Sequence, residues 1–234
     1  MPTVVVCHAV PLASDRQAKE GCDGLPDHSL VFWNEHCVAD VIARLRDSGV
    51  DVRHCEKPDI SVADALGALG GIDKLGAVVF FGHGERPHGT PRIWNRRNAP
   101  RDVLVDEGLV RAAASAGQVF LACFSLVHFE NAAALSSVPV VVGFTDAALT
   151  PSVCGALQDS FPDAAQRDLV DRYRVVFVDL VVSLALSAAR GMGDWAAVAR
   201  EWSLHVEQCR RELEAASMQY LRLFHETSNP NFFS

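Results

Sequence analysis

Hydrophobic positions alternate between two patterns along this chain. Continuous β-branched runs read as buried parallel strands, and stretches with apolar residues every three or four positions read as helices. Thr3–Val10 is the first run. A polar loop, about Pro11–His28, follows with Gly21, Gly24 and Pro26 as breakers. Ser29–Asp47 carries Val31, Phe32, Val38, Val41, Ile42 and Leu45 at helical spacing, with Gly49 placed as a C′ glycine. Val50–Cys55 predicts a second strand, and Val62–Leu69 a second helix with Ser61 as its N-cap. Ala77–Phe81 predicts a third strand that runs directly into Gly82-His83-Gly84. The polar segment Glu85–Arg101 reads as an excursion with a small hairpin around Arg92–Trp94. Beyond it the pattern predicts a helix over Leu104–Ala116, a fourth strand over Val119–Ala122 ending in Cys123, and a helix near Glu130–Leu135. A fifth strand over Val138–Gly143 and helices over Ala164–Arg190 and Trp195–Thr227 complete the chain.

Strands alternating with helices predict an α/β fold, a doubly wound and mostly parallel sheet flanked by helices. One domain is expected over 1–234, with a helical C-terminal appendage at about 192–234. In such sheets ligands collect beyond the carboxyl ends of the strands. Three places qualify: the loop after Val10, the His83 turn and the Cys123 turn.

Composition narrows the function classes. With 234 residues, 49% of them hydrophobic, the chain is long and apolar enough for a buried core and is not disordered. A formal net charge of −8 and no Lys/Arg run longer than two residues argue against nucleic-acid binding. The opening residues have no basic n-region, so no signal peptide is expected. Val175–Ala189, the longest apolar stretch, contains Asp179 and is too short to span a bilayer. The expectation is a cytoplasmic protein with no membrane contact. Its seven cysteines, at 7, 22, 37, 55, 123, 154 and 209, include no CxxC pair, which speaks against a zinc ribbon or a thioredoxin-type site. Reduced thiols are expected, Cys7, Cys37, Cys55, Cys154 and Cys209 as packing residues and Cys22 in a loop.

His83 and Cys123 end neighbouring strands in sequence order, so both side chains can face one crevice. A thiol is nucleophilic as thiolate, and an adjacent imidazole can take its proton. The N–H groups of Gly84 and Cys123 could hold the oxyanion of a tetrahedral intermediate, which suits acyl transfer. The plain alternative is a histidine satisfied at a tight turn and a cysteine filling a gap in the core. His128, five residues after Cys123, is a rival base. Cys7 and His8 share a strand and point to opposite faces, so they cannot form a dyad. His88 with His83 makes a conceivable metal pair, but no carboxylate or Cys at helical spacing supports it, and neither a metal nor a cofactor is expected.

FFGHGE at Phe80–Glu85 resembles the strand and turn that carry the catalytic histidine of caspase-like cysteine peptidases. VFLACFS at Val119–Ser125 resembles the strand that presents their cysteine. The opening TVVVCHAV, the polar loop, the long helix and SGVDVRHCEKPDIS resemble the family's first βαβ unit, and AAALSSVPVVVGF followed by long helices resembles the bacterial CHAT branch with its separase-like peptidases. The resemblance covers roughly Thr3–Arg200 in order of elements. It implies a cysteine endopeptidase acting on protein substrates, with Cys123 as nucleophile, His83 as general base and acid, and Gly84 in the oxyanion hole. A cytoplasmic endopeptidase without control would be toxic, so regulation is expected, with a protein partner as one means. Phe124-Ser125 departs from the Arg-Gly of caspases and the His-Ser of metacaspases. That departure keeps open an inactive caspase-like scaffold.

Specificity would come from the loops. Arg16 lies where caspases place an arginine for an acidic substrate side chain, and Asp23 and Asp27 where metacaspases place an aspartate for a basic one. Asp146 is a further pocket candidate. All four also fit solvated loop charge, and the sequence does not choose. Arg92, Arg96, Arg97 and Arg101 around Trp94 read as a solvated or partner-docking face. A third class, a small-molecule hydrolase or transferase, lacks both a GxGxxG after the first strand and a GxSxG elbow.

Overall fold

A computed structural model of the protein describes residues 1–13, 30, 33–84, 92–96, 101–122, 125, 129, 138, 141–143 and 164–190. In chain order these form β1 (Thr3–Ala9), α1 (Val38–Asp47), β2 (Asp51–Lys57), α2 (Val62–Leu69) and β3 (Leu75–Phe81). Next come β4 (Ile93–Trp94), β5 (Val103–Val105), α3 (Glu107–Ala112), β6 (Gly117–Leu121), β7 (Val141–Val142) and α4 (Ala164–Arg190).

Five strands pair in parallel in the order β2-β1-β3-β6-β7. The β1 residues are all buried, as a strand covered on both faces requires. Strand alternation sends Val5, Cys7, Ala9, Val78, Phe80 and Phe120 into one core, completed by Ala65 of α2, Leu109 and Val110 of α3, and Ile93, Leu104 and Val105 of the hairpin. The opposite face carries Val4, Val6, Val79, Phe81 and Val119. There α1 buries Val38, Val41, Ile42 and Leu45, and α4 buries Val178, Val181, Leu184 and Ala185. The fold is α/β, with a parallel sheet flanked by helices. Arg174 Nη1 and Asp40 Oδ2, 2.9 Å apart, join α4 to α1, as does the Arg44–Asp179 pair. Both pairs are largely exposed and orient the helices more than they stabilise them.

Most of the predicted elements are present with shifted ends. Two differ in kind. Within the helix expected over Ser29–Asp47, Leu30 is α-helical, a regular α-helix runs from Val38, and Trp33–Cys37 between them is a π-helical segment. There the Asn34 amide donates to Leu30 O at 2.9 Å and to Ala9 O at 2.8 Å, so a side chain takes a helical carbonyl and ties the segment to β1. At its other end the expected glycine stop holds: Gly49 has φ 77° and donates to Arg46 O.

The helix expected over Leu104–Ala116 is instead β5 followed by the shorter α3. Val103–Val105 pairs antiparallel with Ile93–Trp94, so the predicted hairpin exists and takes the start of that helix as its second arm. Asp106 then caps α3, its Oδ1 accepting from Leu109 N–H at 2.8 Å. The helix expected near Glu130–Leu135, the helix over Trp195–Thr227 and the 192–234 appendage lie outside the described residues. So do Cys22, Cys154 and Cys209.

Cys7 and Cys37 are buried, as packing cysteines should be, and Cys55 is half-buried against the core. Burial pushes the Cys37 thiol up to about 12. The unfolded chain therefore loses this proton first as the pH rises, and Cys37's contribution to stability, complete below about pH 9, is lost toward pH 12. At pH 8 native Cys37 should resist iodoacetamide and react only after unfolding, which peptide mapping of the alkylated chain reads directly.

Candidate functional site

In this sheet order the chain leaves β1 in one direction for β2 and returns on the other side for β3. The switch point lies between β1 and β3, where the crevice of an open α/β sheet forms beyond the carboxyl ends. His83 stands on one lip of it, two residues past β3.

The hairpin holds His83 in place. Its N–H donates to Trp94 O, and its carbonyl accepts from Trp94 N–H, both at 2.8 Å. Gly82 makes that approach possible. A Cβ on Gly82 would lie 2.6 Å from Ile93 Cγ2 and 2.8 Å from Trp94 O. The packing thus demands glycine at position 82, whereas the sequence drew attention to Gly84. Gly82→Ala should push the hairpin off the sheet and cost about 1–3 kcal/mol of stability, measured by urea unfolding. The His83 ring sits 5.2 Å from the Trp33 ring, centroid to centroid, and its Nε2 is shielded from solvent. Trp33 in turn contacts Phe81 at 6.0 Å.

The hairpin is itself anchored by two buried polar side chains. Asn95 Nδ2 donates to Ile60 O at 2.9 Å, and Asn95 Oδ1 accepts from Asp102 N–H at 2.9 Å. Arg96 donates to Val10 O at 3.2 Å and to Pro58 O. This corrects the reading of the arginines as one solvated or docking face. Arg96 is 2% exposed and ties the hairpin to the ends of β1 and β2. Arg101 lies over the Trp94 ring, its Cζ 4.2 Å from the centroid, while Arg92 is exposed. Arg97 is outside the described residues.

β6 is the neighbour of β3. Phe81 pairs with Leu121, and Gly82 N–H donates to Leu121 O at 3.3 Å. Cys123 follows Leu121 by two residues and lies outside the described residues, as do Arg16, Asp23, Asp27, Asp146, His88 and His128. Just past it, Ser125 is buried and its hydroxyl donates to Phe120 O at 3.3 Å. Gly84 is half-buried, and the His83–Trp94 bridge leaves its N–H out of the pairing. Comparison with family models, curated proteins and solved structures found no match to this chain. Among the described residues, no helix is long and apolar enough to cross a membrane.

On the other lip, near the end of β1, sits a cluster the sequence analysis missed. His8 is buried, His54 half-buried and Glu56 exposed, with their nitrogen and oxygen atoms within 4.8 Å of one another. Parallel register sets Val6 opposite His54 and His8 opposite Glu56. Ala9 O can only accept, so the 3.0 Å contact to His8 Nδ1 fixes the proton there and turns the Nε2 lone pair toward His54. Burial holds His8 down to about 4, and burial also lowers His54. The signal in the sequence was His54-Cys55-Glu56 on a strand: a period of two places the imidazole and the carboxylate on one face.

Proposed function

We propose that the chain is a cysteine endopeptidase of the caspase-like type, in which His83 serves Cys123. The observation that carries this reading is the adjacency of β3 and β6, registered up to Phe81 and Leu121, so the His83 turn and the Cys123 turn leave neighbouring strand ends. The motifs FFGHGE and VFLACFS support it from the sequence.

In the reaction, His83 accepts the Cys123 thiol proton and the thiolate sulfur attacks the scissile carbonyl carbon. The N–H groups of Gly84 and Cys123 receive the developing oxyanion. Collapse of the intermediate breaks the C–N bond, and His83 delivers its proton to the leaving amine. Water, activated by the same imidazole, then hydrolyses the thioester and restores the thiol. The anchored hairpin fixes the backbone of His83, which lets the ring be positioned from a rigid element rather than a free loop. The substrate is protein, its side-chain preference set by Arg16, Asp23, Asp27 or Asp146. The site of action is the cytoplasm, and a protein partner controls the activity.

The test is to incubate the full chain with a proteome-derived peptide mixture and sequence the new termini. Recurrent cleavage at one residue type, lost on alkylation of the chain, is the expected result. The absence of new termini above a heat-inactivated control would favour the inactive scaffold.

A further inference from the structure

The His8–His54–Glu56 cluster has no part in the mechanism above. We propose that it is a binding site for one divalent transition-metal ion of the zinc class, held by His8 Nε2, His54 Nε2 and a Glu56 carboxylate oxygen. No metal was expected from the residue pattern, and this site is independent of the cysteine chemistry.

Three observations carry it. The first is the donor set: two imidazoles and one carboxylate suit zinc-class ions, whereas Mg²⁺ and Ca²⁺ take oxygen ligands. The second is the spacing. His8 Nε2 and His54 Nε2 are 2.5 Å apart, and Glu56 Oε2 is 3.7 Å from the first and 3.6 Å from the second. A circle through these three atoms has a radius of about 1.9 Å, against metal–ligand bonds of about 2.0–2.2 Å, so an ion about 0.8 Å out of their plane reaches all three.

The third is the support around the ligands. His8 is the fixed member, its side chain 2% exposed and its Nδ1–H held by Ala9 O, which also accepts from Asn34. A ligating histidine whose other nitrogen donates to a backbone carbonyl is the usual arrangement at such sites. His54 and Glu56 are the adjustable members, their side chains 24% and 53% exposed. Glu56's exposure leaves a fourth position open to water.

The two rings lie 17° from parallel with centroids 4.8 Å apart, so they meet edge to edge, Nε2 facing Nε2. One N–H···N bond, donated by His54 to His8, fits that contact. Metal binding replaces it. The His54 proton moves by way of solvent to Nδ1, no net proton is lost, and the His54 ring swings until the nitrogens stand about 3.3 Å apart around a tetrahedral ion.

The test uses the metal-stripped full chain and Co²⁺, whose spectrum separates nitrogen and oxygen ligands from the chain's thiols. One equivalent should bind with weak visible bands and no near-ultraviolet thiolate band, and Zn²⁺ should displace it. Because loss of buried His8 can unfold the chain, the variants are His54→Ala and Glu56→Gln, each expected to weaken Co²⁺ binding on the order of 100-fold. The proposal is overturned if Co²⁺ does not bind, if a thiolate band accompanies binding, or if either variant keeps wild-type affinity.

Discussion

Replacing Cys123 with Ala is expected to abolish peptide cleavage, by about 10⁴-fold or more, while leaving the far-ultraviolet circular dichroism of the chain unchanged. The size follows from the chemistry: without sulfur there is no acyl-enzyme, and what remains is substrate binding and the oxyanion donors. His83→Ala should lose about 10²–10⁴-fold, the usual worth of a positioned acid–base group. The backbone bridge to Trp94 survives that change, since it uses only the N–H and carbonyl of residue 83. Combining the two substitutions should cost little more than Cys123→Ala alone, because the groups act as one unit. Initial rates on a peptide identified from the cleavage mixture measure all three variants. Equal rates for wild type and Cys123→Ala would remove Cys123 from the chemistry.

The largest expected loss of stability lies in β6, three residues before Cys123. Phe120 is fully buried and stacks on Phe80 at 5.6 Å and on Phe129 at 5.3 Å. Phe120→Ala should cost about 3–5 kcal/mol, part of it transfer free energy and part the cavity left between two aromatic rings. Phe120→Leu keeps most of the volume and should cost clearly less. Urea midpoints of the two variants give the comparison. Phe120 O also accepts the Ser125 hydroxyl, a backbone contact that both variants keep, so the loss reads the aromatic packing and not that hydrogen bond. A Phe120→Ala loss below about 1 kcal/mol would mean that this core is not the one that positions the site.

Much of the fold was legible because buried parallel strands need continuous β-branched runs. Thr3–Ala9 is such a run and Leu75–Phe81 a continuous apolar one, and differences of one residue at the end of β1 and two at the start of β3 did not change which face each residue took. Val103–Val105 was not legible as a strand. Val105, Leu109, Ala113 and Ala116 fall at helical spacing, and only the Asp106 cap, effective once β4 supplies a partner, separates strand from helix. Asn34 misled the reading in a similar way, since its amide competes for a helical carbonyl through a contact with β1 that the local sequence does not contain.

At the site, position at a strand end and the glycine beside it made His83 legible. What holds it there was not. Trp33, Trp94 and Arg96 come from distant segments, and a buried arginine donating to two carbonyls looks in sequence like any loop charge. The pairing of His8 with His54 depends on the register of β1 against β2, which pattern alone does not fix.

The central claim of the proposed function is that His83 activates Cys123. Its most direct measurement is site-resolved labelling: the native chain, at pH 7, is exposed to a limiting amount of a peptidyl thiol-reactive electrophile and the adducts are mapped by mass spectrometry. A single dominant adduct on Cys123 is expected in the wild type, with its loss in His83→Ala. Labelling spread evenly over the accessible cysteines, or equal labelling of Cys123 in both proteins, would contradict it.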